Sequence, residues 1–527
     1  MILLFAYLRL LLLASVLSIL VFADVCQSPQ RLVAQATKLD DKEQALRLLF
    51  PAVENGNGDA QTLFTQLAIQ LDKQHWLQLA GDMGSSGALY YNAMQSKDAK
   101  SIRRWLKKSS ELGHPQSQFE YALLQRKFDE KMKWMTKSAE QGYEPAIISM
   151  AKYTFEAKHD DEAMRWLSKA AAFDASSAHK VANLYWKKGE KEQAKAFFKT
   201  AAEQDYAASV TMLKILDKYS PQSLSVLRDV PPENAECAQS VQFVANSLVS
   251  FAQALSFRAE YEKDARLASL PICLAEPIWL KPNALDCQAN FDGQPRLSCD
   301  LYPLSKMKTP LGFTHMVVFA EQGKANVNNG VMYLDQSDTY AVFVHELAHF
   351  AGFVDEYALP PELANYHCNK NQAPNLLLAK QMPVEPANNE NQLADPKPQD
   401  EAGDSEPSLV EEKQATVLVY EPEQRYTTWT TALDAHNKLQ MLESNNPILH
   451  RISPSNTCKN TDVKSYKPSH QMTFLEYHDL RNIPRVYRTL WRQVLVNTAN
   501  YSAINDNLAI AAFENGDNDA GVFWTDL

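Results

Sequence analysis

Six times between Leu48 and Asp205 the chain repeats one phrase: an apolar anchor, small or apolar residues four and five positions on, and glycine or aspartate at the eighth. Leu48 leads to Ala52, Val53 and Gly56; Trp76 to Ala80, Gly81 and Gly84; Trp105 to Ser109, Ser110 and Gly113. Trp134 leads to Ser138, Ala139 and Gly142; Trp166 to Ala170, Ala171 and Asp174; Phe197 to Ala201, Ala202 and Asp205. The anchors are 28, 29, 29, 32 and 31 residues apart. A period of this size with helical patterning means stacked helix pairs. Each closing glycine or aspartate falls where a helix must end and the chain reverse. Small residues let neighbouring helices approach, and the large anchor fills the gap between units.

The phrases Trp134-Met-Thr-Lys-Ser-Ala-Glu-Gln-Gly142 and Trp166-Leu-Ser-Lys-Ala-Ala-Ala resemble Sel1-like repeats, relatives of the tetratricopeptide repeat, over about residues 36–220. The resemblance implies an α-solenoid, and such solenoids offer a concave surface to a protein partner. The plainer alternative is an array that only holds its neighbour in place.

The character of the chain changes near residues 229–232. Only 4 of the 26 prolines precede residue 221, and residues 27–236 contain no cysteine. We therefore read helical repeats over 24–229 and a second, α+β domain over 230–527. Within it, Thr314–Ala320 reads as a strand, Glu321–Lys324 as a turn and Gly330–Leu334 as a second strand. Ser337 or Asp338 then caps a helix running to about Ala351. Residues of about 370–424 form an acidic, low-complexity insertion without apolar period. Helices are expected again near Thr427–Glu443 and Val486–Asn497.

Residues 1–22 are almost wholly apolar, with Arg9 the one charge, and Leu10–Phe22 has the length of a signal-peptide core. Small residues at Val21 and Ala23 point to cleavage after Ala23, giving a signal peptide over 1–23 and a periplasmic or secreted product. An uncleaved anchor is the alternative, and this segment is the only membrane contact expected. Cys26 lacks the small preceding residue that lipidation requires. In an oxidising compartment Cys237, Cys273, Cys287, Cys299, Cys368 and Cys458 form up to three disulfides of unspecified pairing. The net charge of −11 leaves no basic surplus for phosphates, so nucleic acid is not an expected partner.

The chemistry lies in His345-Glu346-Leu347-Ala348-His349-Phe350-Ala351-Gly352-Phe353-Val354-Asp355-Glu356-Tyr357. Helical positions four apart share a face, so His345 and His349 aim both imidazoles at one ion. Glu346 projects toward the place of a metal-bound water, which suits Zn2+ with a glutamate base. Gly352 supplies a left-handed helix stop, and Asp355 is placed to swing back as third ligand. Glu356, Glu362, His367 and His478 are its rivals.

This run resembles the metzincin metallopeptidases, in the variant where aspartate replaces the third histidine. The immune-inhibitor-A, snapalysin and IgA-protease-like families are similar, and the Asp355-Glu356-Tyr357 ending favours the first and third. The resemblance implies a zincin-like metallopeptidase fold, His345, His349 and Asp355 as metal ligands, and Glu346 as catalytic base. It also implies a methionine turn beneath the metal, for which Gln471-Met472-Thr473 is the candidate. Tyr477 reads as a buried structural tyrosine, with oxyanion stabilisation as the alternative. The Gly330–Leu334 strand is expected to offer a free edge along which an extended peptide substrate lies. The expectation is thus an exported zinc endopeptidase acting on a protein or peptide; the alternative is an inactive zinc-domain scaffold whose repeats bind a partner.

Overall fold

The computed structural model describes residues 28–231, 236–289, 296–370, 373–379, 432–433, 439–443, 446–450, 453–469, 471–497 and 503–527. The expected signal segment, Cys26 and most of the acidic insertion lie outside the described residues. Among the described residues no helix is long and apolar enough to cross a membrane. The chain forms two compact units, Met1–Lys214 and Ile215–Leu527.

The first unit is a helical repeat array. After Pro29–Lys38, six helix pairs follow in order, beginning with Lys42–Glu54 and Gly58–Gln70 and ending with Lys191–Glu203 and Ala207–Lys218. Each anchor lies on the first helix of its pair. Trp76 sits 5.6 Å from both Phe50 and Phe64, and Trp134 sits 5.6 Å from Tyr121, each ring edge-on. The small residues are buried and join one unit to the one before. Ser109 Oγ donates to Ser86 O at 2.7 Å, and Ser138 Oγ to Pro115 O at 2.7 Å. Gly113 (φ +93) and Gly142 (φ +87) stop their helices in the left-handed region, where a side chain would be strained. Asp174 does not share that role. Its φ is −131 and its carboxylate accepts from Ser177 N, so it caps the start of Ala175–Lys187.

The second unit starts before the change in composition. Gln222 N donates to Trp279 O at 2.7 Å, and Leu227 is buried in this unit's core. These contacts tie Gln222 and Leu227 to the sheet domain. Its main sheet contains β1 (Gln239–Ala245), β2 (Ile272–Leu274), β3 (Ile278–Trp279), β6 (His315–Phe319), β7 (Asn326–Asn328) and β8 (Val331–Leu334). A separate pair, β4 (Cys287–Gln288) and β5 (Ser298–Cys299), is joined by the Cys287–Cys299 disulfide. The main order is β2-β1-β6-β8-β7, with β3 also on β1; every pairing is parallel except β7 with β8.

Strands β1, β6 and β8 are buried along their whole length, as expected for parallel strands covered on both faces. On one face Phe243 and Phe319 meet Phe257 of α1 (Leu248–Tyr261) and Phe343 of α2 (Tyr340–His349). On the other, Val244, Met316, Val318 and Tyr333 share a core with Ile504, Leu508 and Trp524.

Strand β8 is interior, bonded to β6 on one side and β7 on the other, so it has no free edge. The open edge belongs to β7. Asn329 (φ +40) and Gly330 (φ +77) form the two-residue turn joining them, the left-handed pair that a tight hairpin demands. A Cβ on Gly330 would stand 2.5 Å from the Ala503 carbonyl carbon. Gly330→Ala is therefore expected to destabilise this unit by about 2–4 kcal/mol, read as a lower urea midpoint; an unchanged midpoint would show that the turn relaxes freely.

Two further expectations need correction. The cap of α2 is Thr339, whose hydroxyl accepts from Val342 N. Ser337 and Asp338 instead bind within the preceding turn, to Asp335. Within the helix expected at Thr427–Glu443, the described residues are strands instead: Ala432–Leu433 and Leu439–Glu443, the latter antiparallel to Asn446–His450. Segments of two and five residues are too short for sequence periodicity to separate strand from helix. The helix expected at Val486–Asn497 is present as Arg485–Asn497.

Candidate metal centre

Helix α2 buries Phe343, Val344, Leu347 and Ala348, which fixes its rotation. That rotation turns His345, Glu346 and His349 to the opposite, cleft-facing side. The helix closes in a Schellman motif: Phe353 N donates to Ala348 O at 3.3 Å and Gly352 N to His349 O at 2.9 Å. Gly352, at φ +76, makes the reversal possible. Residues 353–356 consequently return alongside the last turn of α2.

The return brings three donor atoms together. His345 Nε2 lies 2.9 Å from Asp355 Oδ1, and His349 Nε2 lies 3.3 Å from the same oxygen. The two Nε2 atoms are 3.3 Å apart. Ligand atoms held about 2.0–2.1 Å from a tetrahedral ion are about 3.3 Å from one another, so the triangle has the right size for zinc. Glu346 also stands within 4.8 Å of both imidazoles. At 4.0 Å from His349 Nε2 it is further from the two imidazoles than Asp355, yet it forms with them a group that could hold a metal ion.

Proton positions sharpen this. His345 Nδ1 lies 2.8 Å from Phe474 O, and His349 Nδ1 lies 2.8 Å from Phe353 O. A carbonyl only accepts, so both Nδ1 atoms carry hydrogen and both Nε2 atoms present lone pairs. Asp355 Oδ1 is buried against the two Nε2 atoms, and a proton on either imidazole would hydrogen-bond it. Three lone-pair donors converging in a buried space make a candidate cation site. Burial disfavours charge on His349, but the Asp355 and Glu346 carboxylates outweigh it and raise its pKa to about 9. Burial likewise opposes ionisation of Asp355, and the two histidines overcome it, holding the carboxyl far below its ordinary range. Burial raises the Glu346 carboxyl, with both imidazoles working against it.

Glu356 is not a ligand. It is 0% exposed and faces away from the triangle. Its carboxylate accepts from Tyr487 OH at 2.5 Å, from Asn375 Nδ2 at 2.9 Å and from the Thr473 hydroxyl. Lys467 Nζ is 3.9 Å away. Its backbone is tied as well: Glu356 N donates to Leu475 O and Asn456 N to Glu356 O. Thr457 Oγ1 donates to Asp355 O at 2.8 Å, and Asn375 bonds both the N–H and the C=O of Val354. The Cys368–Cys458 disulfide anchors residue 458 to helix α3 (Pro361–Lys370). Asp355 is thus held from both sides by strongly fixed backbone.

The remaining rivals stand outside the triangle. Glu362 is exposed on α3. The His478 ring lies 6.5 Å from that of His345, beside the cluster. His367 is half-buried and shares a cavity wall with His349. Met472 is 65% exposed, so no methionine side chain at this position underlies the site. The same segment does pass beneath it, but through the buried Phe474, whose carbonyl orients His345. Tyr477, expected to be buried, is 51% exposed. Sequence reasoning missed Asn375, Thr457, Thr473 and Tyr487, which hold the ligand loop; each is an ordinary residue far along the chain, with no local signal. The six later cysteines pair as Cys237–Cys273, Cys287–Cys299 and Cys368–Cys458, which fits an oxidising compartment.

No protein-family model matches the chain, and no curated protein matches it. Among solved structures, the crystal structure of a Sel1 repeat protein from Oxalobacter formigenes is similar at 14% identity and a TM-score of 0.28, over 34% of this chain and 90% of that one.

Proposed function

We propose that this protein is an exported, zinc-dependent endopeptidase with a helical-repeat region that recruits or positions a protein partner. One observation carries the enzymatic reading: Nε2 of His345, Nε2 of His349 and Oδ1 of Asp355 converge, 2.9–3.3 Å apart. These three would hold zinc and leave a fourth position open. When bound, zinc supplies Lewis acidity and lowers the pKa of water to about 7. Glu346 takes the proton of the attacking water and delivers it to the leaving amine. Burial holds its carboxyl above the ordinary carboxylate range, the direction that suits a group which accepts and returns a proton. The open edge of β7 offers backbone hydrogen bonds to an extended peptide. The proposed partner surface rests on the six in-phase repeats and on their Sel1-like phrases. Export is supported by the apolar N-terminal stretch and by the three disulfides.

The test is metal analysis of the purified protein joined to a peptide-library digest. About one zinc per chain and chelator-sensitive cleavage are expected. His349→Ala should lose both the metal and the cleavage. Cleavage that survives metal removal would sink the proposal.

A further inference from the structure

The helical-repeat unit carries an open cavity of about 940 Å³, formed along the second helices of its first three pairs, Gly58–Gln70, Ser86–Gln95 and Pro115–Leu123. That is the upper range of ligand pockets. Its walls hold amides and aromatic rings, among them Gln61, Gln66, Tyr90, Tyr91, His114 and Gln116. None of the described lining residues is lysine, arginine, aspartate or glutamate. Ile69 and Leu112 bring exposed apolar side chains to the same walls.

A carboxylate stands at one end. Glu120 follows Gln116 by four positions on Pro115–Leu123, so it continues the cavity-facing side one turn further. It is half-buried. Burial raises its carboxyl above the ordinary range, and among the described residues no cation offsets the rise. Two aromatic pairs flank it, one on each neighbouring repeat. Tyr90 stacks on His114, which opens the helix of Glu120, with ring centroids 4.9 Å apart. Tyr143 meets Phe119, the residue before Glu120, edge-on at 5.5 Å. Burial raises both phenols, and the nearby Glu120 charge raises them further. His114 Nδ1 accepts from Ser117 N at 3.3 Å, and burial lowers its pKa, so the imidazole is neutral and supplies no counter-charge.

A partly desolvated carboxylate with no counter-ion, flanked by tyrosine rings, favours a cation and rejects an anion. The adjoining walls, uncharged and rich in amides and hydroxyls, suit the peptide groups of an extended chain. We propose that this groove docks an extended segment of a partner protein, with a lysine or arginine side chain seated on Glu120 between Tyr90 and Tyr143. The inference rests on the reading of the repeats as a recruiting region and names the chemistry of what they recruit.

The test uses the full-length chain, with a chelator present so that cleavage does not intervene. The probes are fluorescein-labelled nine-residue peptides of alanine and serine with lysine, norleucine or glutamate at the centre. By fluorescence polarisation the lysine peptide is expected to bind best, and less well as salt is added. Glu120→Gln, an isostere at a half-buried position, should weaken the lysine peptide at least about tenfold and leave the norleucine peptide unchanged. Glu120→Lys should turn the preference toward glutamate. A misfolded variant would weaken every peptide alike, so the reversal tells a lost site from a lost fold. Equal binding of the three peptides, or a lysine preference that survives both variants, overturns the basic site and leaves recruitment by the repeats standing. Absence of any binding defeats both. A chain that sediments as a dimer, and as a monomer in Glu120→Lys, would make a second copy the occupant and overturn a separate partner.

Discussion

Replacing Glu346 with glutamine is expected to leave zinc bound and to reduce peptide cleavage by about 10²–10⁴-fold, the usual contribution of a positioned general base. Glutamine has the shape of glutamate but cannot accept a proton from water. The His345, His349 and Asp355 atoms that would hold the ion are untouched, so metal content should remain near one per chain. Folding should also survive. Burial already disfavours the charge on Glu346, and a neutral isostere removes that penalty. The variant separates two roles for an acidic residue 4.0 Å from His349 Nε2. A ligand would lose metal on substitution, whereas a base loses only turnover. Measured kcat with zinc content in the same preparation decides. Unimpaired turnover in a zinc-loaded Glu346→Gln protein would place the base elsewhere.

The second large effect belongs to a residue that touches no substrate. Glu356→Ala should destabilise the sheet unit by about 3–5 kcal/mol, as removal of one member of a buried charged network does. The Tyr487 hydroxyl, the Thr473 hydroxyl and the Asn375 amide would all lose their acceptor, and Lys467 a neighbouring charge. Because the next residue back is Asp355, the loss should reach the metal. Zinc affinity is expected to fall about 10–100-fold, the range seen when outer supports of ligands are removed. Glu356→Gln keeps an acceptor for Tyr487 and should recover most of both losses. Urea unfolding and competition with a chelator of known affinity read the two quantities separately. Stability lost without any change in zinc affinity would show that Asp355 is placed independently of its neighbour.

What was legible in the sequence was local. The tryptophan phrase needs only a helix and its stop, and both are written within nine residues, so the repeats and their period could be read directly. His345, Glu346 and His349 share one helix face, and Gly352 announces the reversal that brings Asp355 back. Legibility ended where distant segments meet. Nothing near Asn375, Thr457, Thr473 or Tyr487 signals that each would bind a loop some 20 to 130 residues away. The Gly352 stop favoured Asp355 over Glu356 from sequence; the buried partners that turn Glu356 inward were not readable there. Strand β7 was overlooked because it is three residues with one apolar member, although Asn329-Gly330 carried the hairpin signal. The methionine turn failed for a different reason. A single methionine carries no positional information, and it was a backbone carbonyl, at Phe474, that met the requirement beneath the histidine.

The cross-link between Cys368 and Cys458 joins residues 90 apart in sequence. One end follows His367 on α3, and the other follows Thr457, which grips Asp355. The two ends of that long excursion are therefore pinched together at its neck, independently of whatever lies between. Lengthening a span already closed at its base adds only slowly to its entropy. Sequence can accordingly drift, grow or shrink there while the candidate metal centre next door stays in register, which makes this stretch the natural place for the protein to acquire new attachments.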